Sequence, residues 1–392
     1  MPDRTSIYLD YAATSPLAPR VLDAMRPFLE ETFGNPSSVH TPGRNARFAV
    51  EEARENVASL LGAEPGEIIF TSGGTESNNA ALKGVMDAGS MTRLVTASVE
   101  HESVLRTAQS VERSGTEVIV LACSGEGSVI PAAIEAAIQT DPALVSVMHV
   151  NNEIGTVNPI SDISNVVHRS GGILHCDAVQ SAGYYDLKKL AGFVDLMTLS
   201  AHKIGGPKGA GILFAKAGVQ VDPFILGGSQ ERRRRAGTEN VAAIAGLSQA
   251  LSIAQQDPRV DSGRLRSLRE FLEARLETEL GNQIRVTTPD EGSAPHILHV
   301  VFLDEDGSGL DGEMLILGLD MEGVYVSSGS ACSSGAVEPS HVLTALGVQP
   351  SVSRGAVRFS LGSGTTEEEI DEAIDRITRV VRQTSGAAIG RL

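Results

Sequence analysis

The sequence predicts an α/β protein with a large domain, built on a mainly parallel seven-stranded sheet covered by helices, and a smaller α+β domain at its C-terminal end. Three observations support this fold class. Short apolar runs alternate with longer amphipathic stretches over the first two-thirds of the chain. The short runs are apolar throughout, as in strands that are covered on both faces. From about Asn240 the alternation stops and two long helical stretches follow one another.

Seven runs are the predicted strands of the large sheet. Between them lie amphipathic stretches such as residues 45–62, 102–115 and 160–171, which are predicted helices. Alternation of this kind favours parallel neighbours, because a crossover helix returns the chain to the same end of the sheet. The strands are EIIFTS (67–72), RLVTAS (93–98), EVIVLA (117–122), ALVSVMHV (143–150), GILHCD (172–177), DLMTLS (195–200) and GAGILFAK (209–216).

The second domain has a different composition. Helical stretches at 241–256 and 263–280 precede strand-like HILHVVFLD (296–304) and AVRFSLG (356–362), and residues 367–383 form a closing helix. A chain of 392 residues is too long for one small core, so two domains are expected. The predicted limits are an N-terminal segment packing with the small domain (1–16), a large domain (17–258) and a small domain (259–392) with a mobile cysteine loop at about 326–338.

Composition narrows the function classes. Acidic residues outnumber basic ones by 49 to 32, and the net charge of −17 repels phosphate backbones, so a nucleic-acid surface is not expected. The first residues lack the apolar core of a signal peptide, and no apolar run is long enough to cross a bilayer. Three widely spaced cysteines do not make a disulfide framework. These features predict a cytoplasmic protein that acts away from membranes.

One candidate site segment is TSGGTESNNAALKG (71–84), which follows a strand and begins a helix. Gly73 and Gly74 allow a tight turn, and Thr75 adds a hydroxyl beside the free N–H groups of the helix start. Such a turn can bind a phosphate group. The alternative on this segment alone is a plain glycine turn with a Ser or Thr helix cap.

A second candidate is LHCDAVQSAG (174–183), where Asp177 directly follows a strand and Gln180 is close by. A carboxylate in this position can cap a helix. It can also hold a cationic ring nitrogen in its protonated form.

The third candidate, LSAHKIGGPKGAGILF (199–214), places Lys203 after a buried-looking strand and next to His202. Partial desolvation lowers the pKa of a lysine and makes its amine a nucleophile toward an aldehyde. Lys208 lies on the looser, glycine-rich side of the turn. The alternative is that Lys203 is an ordinary surface lysine.

Taken together, these segments predict pyridoxal 5′-phosphate (PLP) as cofactor. A phosphate cup, a carboxylate for a ring nitrogen and an amine for an aldehyde follow strands of one sheet. PLP requires a lysine for its aldehyde and an acidic partner for its pyridine nitrogen, because that pairing makes the ring an electron sink.

With these motifs in place, the chain resembles the cysteine desulfurases of the NifS/IscS group, within the fold-type I PLP-dependent transferases. The resemblance extends over nearly the whole chain and depends on motifs in a fixed order. These are YLDYAATSP (8–16), GNPSSVHTPGR (34–44), TSGGTESNN (71–79), VEHESV (99–104), HVNNEIG (149–155), HCDAVQ (175–180), SAHKIGGPKG (200–209), RRAGTEN (234–240), SSGSACSS (327–334) and VRFSLG (357–362).

The resemblance implies a role for each matched residue. Lys203 binds the cofactor aldehyde, Asp177 pairs with the ring nitrogen and Gln180 hydrogen-bonds the ring hydroxyl. His101 stacks on the ring and carries protons. Asn152 and Arg358 hold the substrate carboxylate, for which a planar guanidinium is well suited. The other implied cofactor-binding residues are Gly74, Thr75, Ser200, Ala201, His202 and, from the second subunit of a homodimer, Thr238.

Cys332 is the catalytic cysteine that the resemblance implies. It lies among Ser, Gly and Ala residues, which favour a solvated loop, so it can attack the sulfur of bound L-cysteine and carry that sulfur outward as a persulfide. L-Alanine is the other product. The acceptor is a sulfur-acceptor or iron–sulfur scaffold protein, with iron–sulfur cluster assembly or tRNA thiolation downstream, and Cys332 can transiently ligate a [2Fe–2S] cluster shared with the scaffold.

Three other functions stay open on the sequence. A selenocysteine lyase needs no nucleophilic cysteine. Another PLP lyase or an aminotransferase has no use for a thiol on a flexible loop. A non-catalytic sulfur-relay or assembly subunit usually lacks the lysine.

Cys123 and Cys176 end apolar strands and are predicted to be inert and buried. The basic run ERRRR (231–235) is predicted to be a solvated loop near the dimer interface.

Overall fold

The fold was obtained as a computed structural model, which describes residues 6–139, 141–256, 258–328 and 339–389. Cys332 lies outside these residues. The N-terminal part forms a short strand and two helices before the first strand of the large sheet: β1 (Ile7–Tyr8), α1 (Pro19–Glu30) and α2 (Thr41–Leu61). Helix α2 begins before the predicted amphipathic stretch because the His40 side chain caps it, its Nδ1 accepting the Gly43 N–H at 3.3 Å.

The predicted seven-stranded, mainly parallel sheet is confirmed. Its strands lie in the order β2-β8-β7-β6-β5-β3-β4, and only β8 runs antiparallel to its neighbours. They are β2 (Ile68–Thr71), β3 (Arg93–Ala97), β4 (Glu117–Leu121), β5 (Leu144–Ser146), β6 (Ile173–Asp177), β7 (Leu196–Ser200) and β8 (Gly211–Ala215).

Helices cover both faces of this sheet, which explains why its central strands are apolar throughout. One face packs against α2, α5, α6, α7 and α9, and the other packs against α3 and α4. Only β4 differs, since it is an edge strand and leaves Val120 52% exposed. The helices are α3 (Gly74–Asp87), α4 (Glu102–Arg113), α5 (Pro131–Ile138), α6 (Ile160–Arg169), α7 (Leu187–Ala191) and α9 (Val241–Ala254). The short turn labelled α8 (Gln230–Arg233) has non-helical dihedral angles at Glu231 and Arg232.

The C-terminal part has its own core around a three-stranded antiparallel sheet in the order β12-β10-β9. Ile7 and Leu9 of the N-terminal segment are buried in this core, and β1 pairs in parallel with β11. The elements are α10 (Pro258–Leu280), β9 (Ile284–Val286), β10 (Ile297–Phe302), α11 (Gly312–Met321), β11 (Val324–Tyr325), α12 (His341–Ala345), α13 (Pro350–Ser353), β12 (Ala356–Ser360) and α14 (Glu367–Ile389).

The sheet topology brings the candidate segments together. Asp177 and Ser200 end the parallel neighbours β6 and β7, and Thr71 ends β2. Thr71 and Ser200 both pair with Gly211 of the intervening strand β8, so the turn after β2 lies beside the end of β7. Gly211 must be a glycine here, because a Cβ atom would lie 2.6 Å from the Cα of Gly73. No helix in the described part of the chain is both long and apolar enough to cross a membrane.

Candidate active site

A cavity of about 400 Å³ lies at the carboxyl edge of the large sheet. The large domain provides most of its wall, the N-terminal segment contributes Ala12 and Ala13, and the small domain contributes Arg358 and the neighbouring Ser327. Ten residues singled out from the sequence line it together: Gly74, Thr75, His101, Asn152, Asp177, Gln180, Ser200, His202, Lys203 and Arg358.

Lys203 ends a single 3₁₀ turn, Ala201–Lys203, that follows β7. Its Nζ donates hydrogen bonds to the carbonyl oxygens of Ala12 and Ala13, at 2.5 and 2.8 Å. Burial, together with the positive charge of Arg358, lowers the pKa of Lys203 to about 8, although Asp177 acts in the opposite direction. A fraction of its amine is therefore unprotonated near neutral pH and can act as a nucleophile.

The carboxylate of Asp177 is held by two donors. The Val179 N–H donates to Oδ1 at 3.0 Å, and the Asn78 side-chain amide donates to Oδ2 at 2.7 Å. Asp177 is only 6% exposed and faces the cavity. A buried carboxylate that is fixed in this way can accept a hydrogen bond from a cationic ring nitrogen.

The turn before α3 forms one end of the cavity. Gly73 has φ +150°, a backbone conformation that residues with a Cβ atom rarely adopt. A Cβ on Gly74 would lie 2.9 Å from Val179 Cγ2. This turn leads into the N-terminus of α3, where backbone N–H groups favour an anion. The Ser200 hydroxyl lies beside the turn.

His202 lies beside this turn and is half-buried. Its Nδ1 is 3.2 Å from the Thr14 hydroxyl. Burial, with the positive charges of Lys203 and Lys208, lowers the pKa of His202 to about 4, so the ring is neutral at physiological pH. A neutral imidazole can donate one hydrogen bond to a phosphate without requiring a buried charge.

Arg358 forms the opposite wall of the cavity from strand β12. Its Nη1 donates to the Asn152 carbonyl oxygen at 2.8 Å, and its Nη2 donates to Asp10 Oδ1 at 2.9 Å. Its Nε is buried and has no hydrogen-bond partner among the residues that the structure describes. This guanidinium thus keeps a spare donor for a carboxylate in the cavity.

The unpartnered polar atoms of the cavity test whether PLP and an amino acid fit. Within the described residues, four buried atoms that lack a hydrogen-bond partner belong to cavity-lining side chains: Asn78 Oδ1, Ser200 Oγ, Ser327 Oγ and Arg358 Nε. Buried polar atoms are normally satisfied, so such a set indicates a polar ligand. With the low-pKa lysine amine, the fixed carboxylate and the anion-binding turn, these residues fit PLP.

Two predicted site residues lie away from the cavity. Ala201 is buried, and its N–H donates to the Ala210 carbonyl oxygen at 3.0 Å, so this N–H is not available to a phosphate. Thr238 is exposed on the loop before α9 and does not line the cavity of its own subunit.

The other two cysteines lie away from the site. Cys176 is fully buried in β6, where burial raises the pKa of its thiol. Cys123 is only half-buried, contrary to expectation, because it follows the edge strand β4, and burial still raises the pKa of its thiol. Raised pKa values keep both thiols protonated and weakly nucleophilic. Within the described ranges, no group of His, Cys, Asp or Glu side chains is arranged to hold a metal ion.

Sequence reasoning missed Asn78 and Ser103, which line the cavity and contact each other. A signal for Asn78 was present, since it lies four residues after Gly74 and therefore on the same face of α3. The Ser103 contact depends on how α3 and α4 pack, which the sequence does not specify.

Comparisons with known proteins agree with this geometry. The aminotransferase class-V family matches residues 7–373. The cysteine desulfurase IscS of Dictyoglomus turgidum is 43% identical over 382 residues, covering 97% of this chain and 95% of that protein.

Two solved structures share the fold. A NifS-like protein superposes with a TM-score of 0.88 at 36% identity, covering 97% of this chain and 100% of that one. SspA in complex with cysteine gives a TM-score of 0.79 at 34% identity, covering 91% and 99%. The chain therefore belongs to the class-V aminotransferase family and, within it, to the NifS/IscS group of cysteine desulfurases.

Proposed function

We propose that this chain is a PLP-dependent cysteine desulfurase, which converts L-cysteine to L-alanine and transfers the sulfur to Cys332. The observation that carries this function is the cavity in which the low-pKa amine of Lys203, the carboxylate of Asp177 and the spare donor of Arg358 meet. Its relatives include proteins named as cysteine desulfurases and a structure that contains cysteine.

The substrate carboxylate binds at Arg358 and Asn152 in this proposal. Asp10 already accepts one hydrogen bond from the guanidinium and thereby fixes its plane, while Nε stays available. A carboxylate that arrives here gains a charge-assisted hydrogen bond. This contact orients the amino acid with its amine toward Lys203.

Lys203 and His101 are the proton carriers in this proposal. When bound, PLP supplies the electron sink that stabilises negative charge on the substrate carbons. The Lys203 amine removes the proton from the substrate Cα, because burial lowers its pKa to about 8 and a fraction of it is therefore available as a base. His101 is exposed at the cavity edge, where it can exchange protons with solvent.

Cys332 accepts the sulfur. Its thiolate attacks the sulfur of the bound cysteine, an S–S bond forms, and the Cβ–S bond breaks with its electron pair left on Cβ, which then takes up a proton. No external oxidant or reductant is needed. In the sequence Cys332 comes five residues after Ser327, which lines the cavity.

We further propose that the enzyme is a homodimer in which Thr238 contacts the cofactor of the partner subunit. Thr238 is exposed, and so are several large apolar side chains of the large domain that a partner could cover, namely Leu29, Phe33, Val39, Phe48 and Leu226. Burial of such residues is typical of homodimer interfaces.

Sulfur delivery to an acceptor protein, for iron–sulfur assembly or tRNA thiolation in the cytoplasm, is the proposed outcome of the reaction. A thiolate that reacts with sulfur needs a reducing compartment to be regenerated. A transient [2Fe–2S] cluster on Cys332 remains part of this proposal, as a substrate passed to a scaffold and not as a resident group.

The test is a single-turnover assay. Purified yellow enzyme is mixed with L-cysteine without reductant, and alanine is counted per bound PLP for the parent and for Cys332→Ala. We expect about one alanine per site in the parent and almost none in the variant. Equal alanine from both would exclude Cys332 as the nucleophile and favour a selenocysteine-type lyase. A colourless protein that forms no alanine would indicate a non-catalytic subunit.

A further inference from the structure

Asn78 forms a bridge between two side chains to which the proposed function gives separate roles. It lies in the second turn of α3 and is only 1% exposed. Its amide nitrogen donates one hydrogen bond to Asp177 Oδ2 at 2.7 Å and the other to Ser103 Oγ at 2.8 Å. Ser103 Oγ in turn lies 2.7 Å from Nδ1 of His101. One amide thus connects the buried carboxylate to the imidazole at the cavity edge.

The direction of each hydrogen bond from Asp177 to His101 can be assigned from the backbone contact of His101. The Ser103 backbone N–H donates to His101 Nδ1 at 3.1 Å, which assigns Nδ1 as a hydrogen-bond acceptor. The Ser103 hydroxyl therefore donates to Nδ1, and its oxygen accepts from Asn78. If the amide were flipped, its oxygen would lie against the carboxylate of Asp177, with no donor between them. The arrangement with nitrogen toward Asp177 avoids this contact and gives both Asp177 Oδ2 and Ser103 Oγ a donor.

Two consequences follow for the reacting groups. Because Nδ1 accepts two hydrogen bonds from Ser103, the neutral form of His101 carries its proton on the other ring nitrogen, Nε2. The Asp177 carboxylate is held in one plane, since Val179 binds Oδ1 and Asn78 binds Oδ2.

We propose that Asn78 is a positioning residue that holds Asp177 and His101 in register with each other, the first directly and the second through the Ser103 hydroxyl. This inference rests on the proposed function and deepens it. Asn78 acts through its amide nitrogen, by orienting the carboxylate expected to pair with the cofactor ring and the imidazole expected to stack on it.

The position requires a two-hydrogen donor of this size. An aspartate would place a second carboxylate next to Asp177 and would accept the Ser103 proton, which reverses the hydrogen bond toward His101. A leucine of similar volume would leave Asp177 Oδ2 and Ser103 Oγ without this donor.

Asn78 has two connections, one to Asp177 and one through Ser103 to His101. Affinity for PLP, measured by equilibrium dialysis, distinguishes their effects without depending on turnover. We expect Asn78→Asp and Asn78→Leu to weaken PLP binding about 10- to 100-fold, as for loss of a hydrogen bond to a charged group. Ser103→Ala touches only the His101 branch, so its PLP affinity should stay within about threefold, while kcat for alanine formation falls about tenfold with little change in KM.

Ser77→Ala is the matched control. Ser77 is the preceding residue of α3, and its hydroxyl makes a buried 2.7 Å hydrogen bond with Thr71, away from the cavity lining. The Ser77→Ala variant should be slightly less stable than the parent, with the same PLP affinity and the same kcat. PLP affinities of both Asn78 variants equal to that of Ser77→Ala would overturn the inference. If an Asn78 variant does not fold, an unchanged kcat and pH profile in Ser103→Ala would also overturn it.

The parent enzyme distinguishes failure of this inference from failure of the proposed function. A parent that binds PLP but forms no alanine would refute the desulfurase activity. The ratios of PLP affinity between parent and variants would still decide whether Asn78 positions Asp177.

Discussion

Arg54 and Arg358 are two of the buried arginines that pair with a carboxylate, and they differ in how many of their hydrogen-bond donors the chain itself satisfies. Arg54 of α2 pairs with Glu231, and Arg358 of β12 pairs with Asp10. Both guanidinium groups are almost fully buried, with exposed fractions of 2% and 6%. Burial alone therefore does not separate a structural arginine from one that faces a ligand.

The Arg54 pair is saturated by its own chain. Two parallel hydrogen bonds of 2.8 Å join the guanidinium to Glu231, and further donors and acceptors come from Ile68, Phe70 and Glu51. Arg358 makes only one hydrogen bond to Asp10, and its Nε has no partner among the described residues. The first pair holds a loop to the sheet, and the second holds a donor ready for a carboxylate.

The Glu231 loop explains why a saturated pair is needed. Three successive residues other than glycine, Glu231, Arg232 and Arg233, have φ values of 44°, 57° and 68°. Each such left-handed residue costs roughly 1 kcal/mol or more and persists only where the surroundings enforce it. The pair with Arg54 is the strongest contact that Glu231 makes, and Thr238 lies on the same loop.

The largest expected effect comes from breaking the saturated pair. Glu231→Ala should lower the free energy of unfolding by up to about 3–5 kcal/mol, because it removes the buried carboxylate that binds Arg54 and leaves only the partly exposed Glu51 as a charge partner. Urea unfolding of the loaded enzyme at one protein concentration measures this loss. The control is Glu117→Gln in the partly exposed pair with Arg93, which should cost less than about 1 kcal/mol.

The double variant Arg54→Met with Glu231→Leu sharpens this result. It removes both charges together, so it should recover much of the stability that Glu231→Ala loses. Equal, small losses in Glu231→Ala and Glu117→Gln would mean that other contacts hold the left-handed residues.

The unsaturated pair should show its effect in binding. Arg358→Lys keeps the charge but removes the planar set of donors, so KM for L-cysteine should rise about 10- to 100-fold. Steady-state alanine formation measures this change. Arg275→Lys is the control, since Arg275 pairs with Asp371 on the surface, away from the cavity lining. An unchanged KM in Arg358→Lys would place the substrate carboxylate elsewhere.

The parts of this fold that depend on local periodicity were predictable from the sequence. All seven strands of the large sheet lie within the predicted runs, because strands covered on both faces read as continuous apolar segments. The placement of Asp177 and Lys203 at this edge of the sheet was predictable for the same reason, since Asp177 ends β6 and Lys203 lies three residues after β7. Their chemical roles stay predictions. Strand β9 was not singled out because it is only three residues long, and helix α1 contains Pro27, a residue that disfavours a helix interior.

Contacts between distant segments were not predictable. The carbonyl oxygens that accept from Lys203 come from Ala12 and Ala13, about 190 residues earlier. The ERRRR run was expected to be solvated, and this was wrong for Glu231, which is 4% exposed because Arg54 binds it. No local pattern encodes either contact, because both depend on how separate helices and strands pack.

The smallest and most specific effect concerns the pKa of Lys203. The amine must be neutral to attack an aldehyde, so the rate at which the PLP-free enzyme takes up PLP should rise with pH and level off above a midpoint of about 8. Arg358 lowers the pKa of Lys203 and Asp10 raises it. Arg358→Gln should therefore move this midpoint to higher pH, and Asp10→Asn should move it to lower pH.

Stopped-flow absorbance of PLP uptake at a series of pH values measures these midpoints. Glu117→Gln is the control, since this partly exposed carboxylate does not contribute to the pKa shift of Lys203. Its midpoint should equal that of the parent. Shifts of the midpoint in the same direction for Arg358→Gln and Asp10→Asn would contradict this prediction. They would mean that the charges of Arg358 and Asp10 do not shift the pKa of Lys203 in opposite directions.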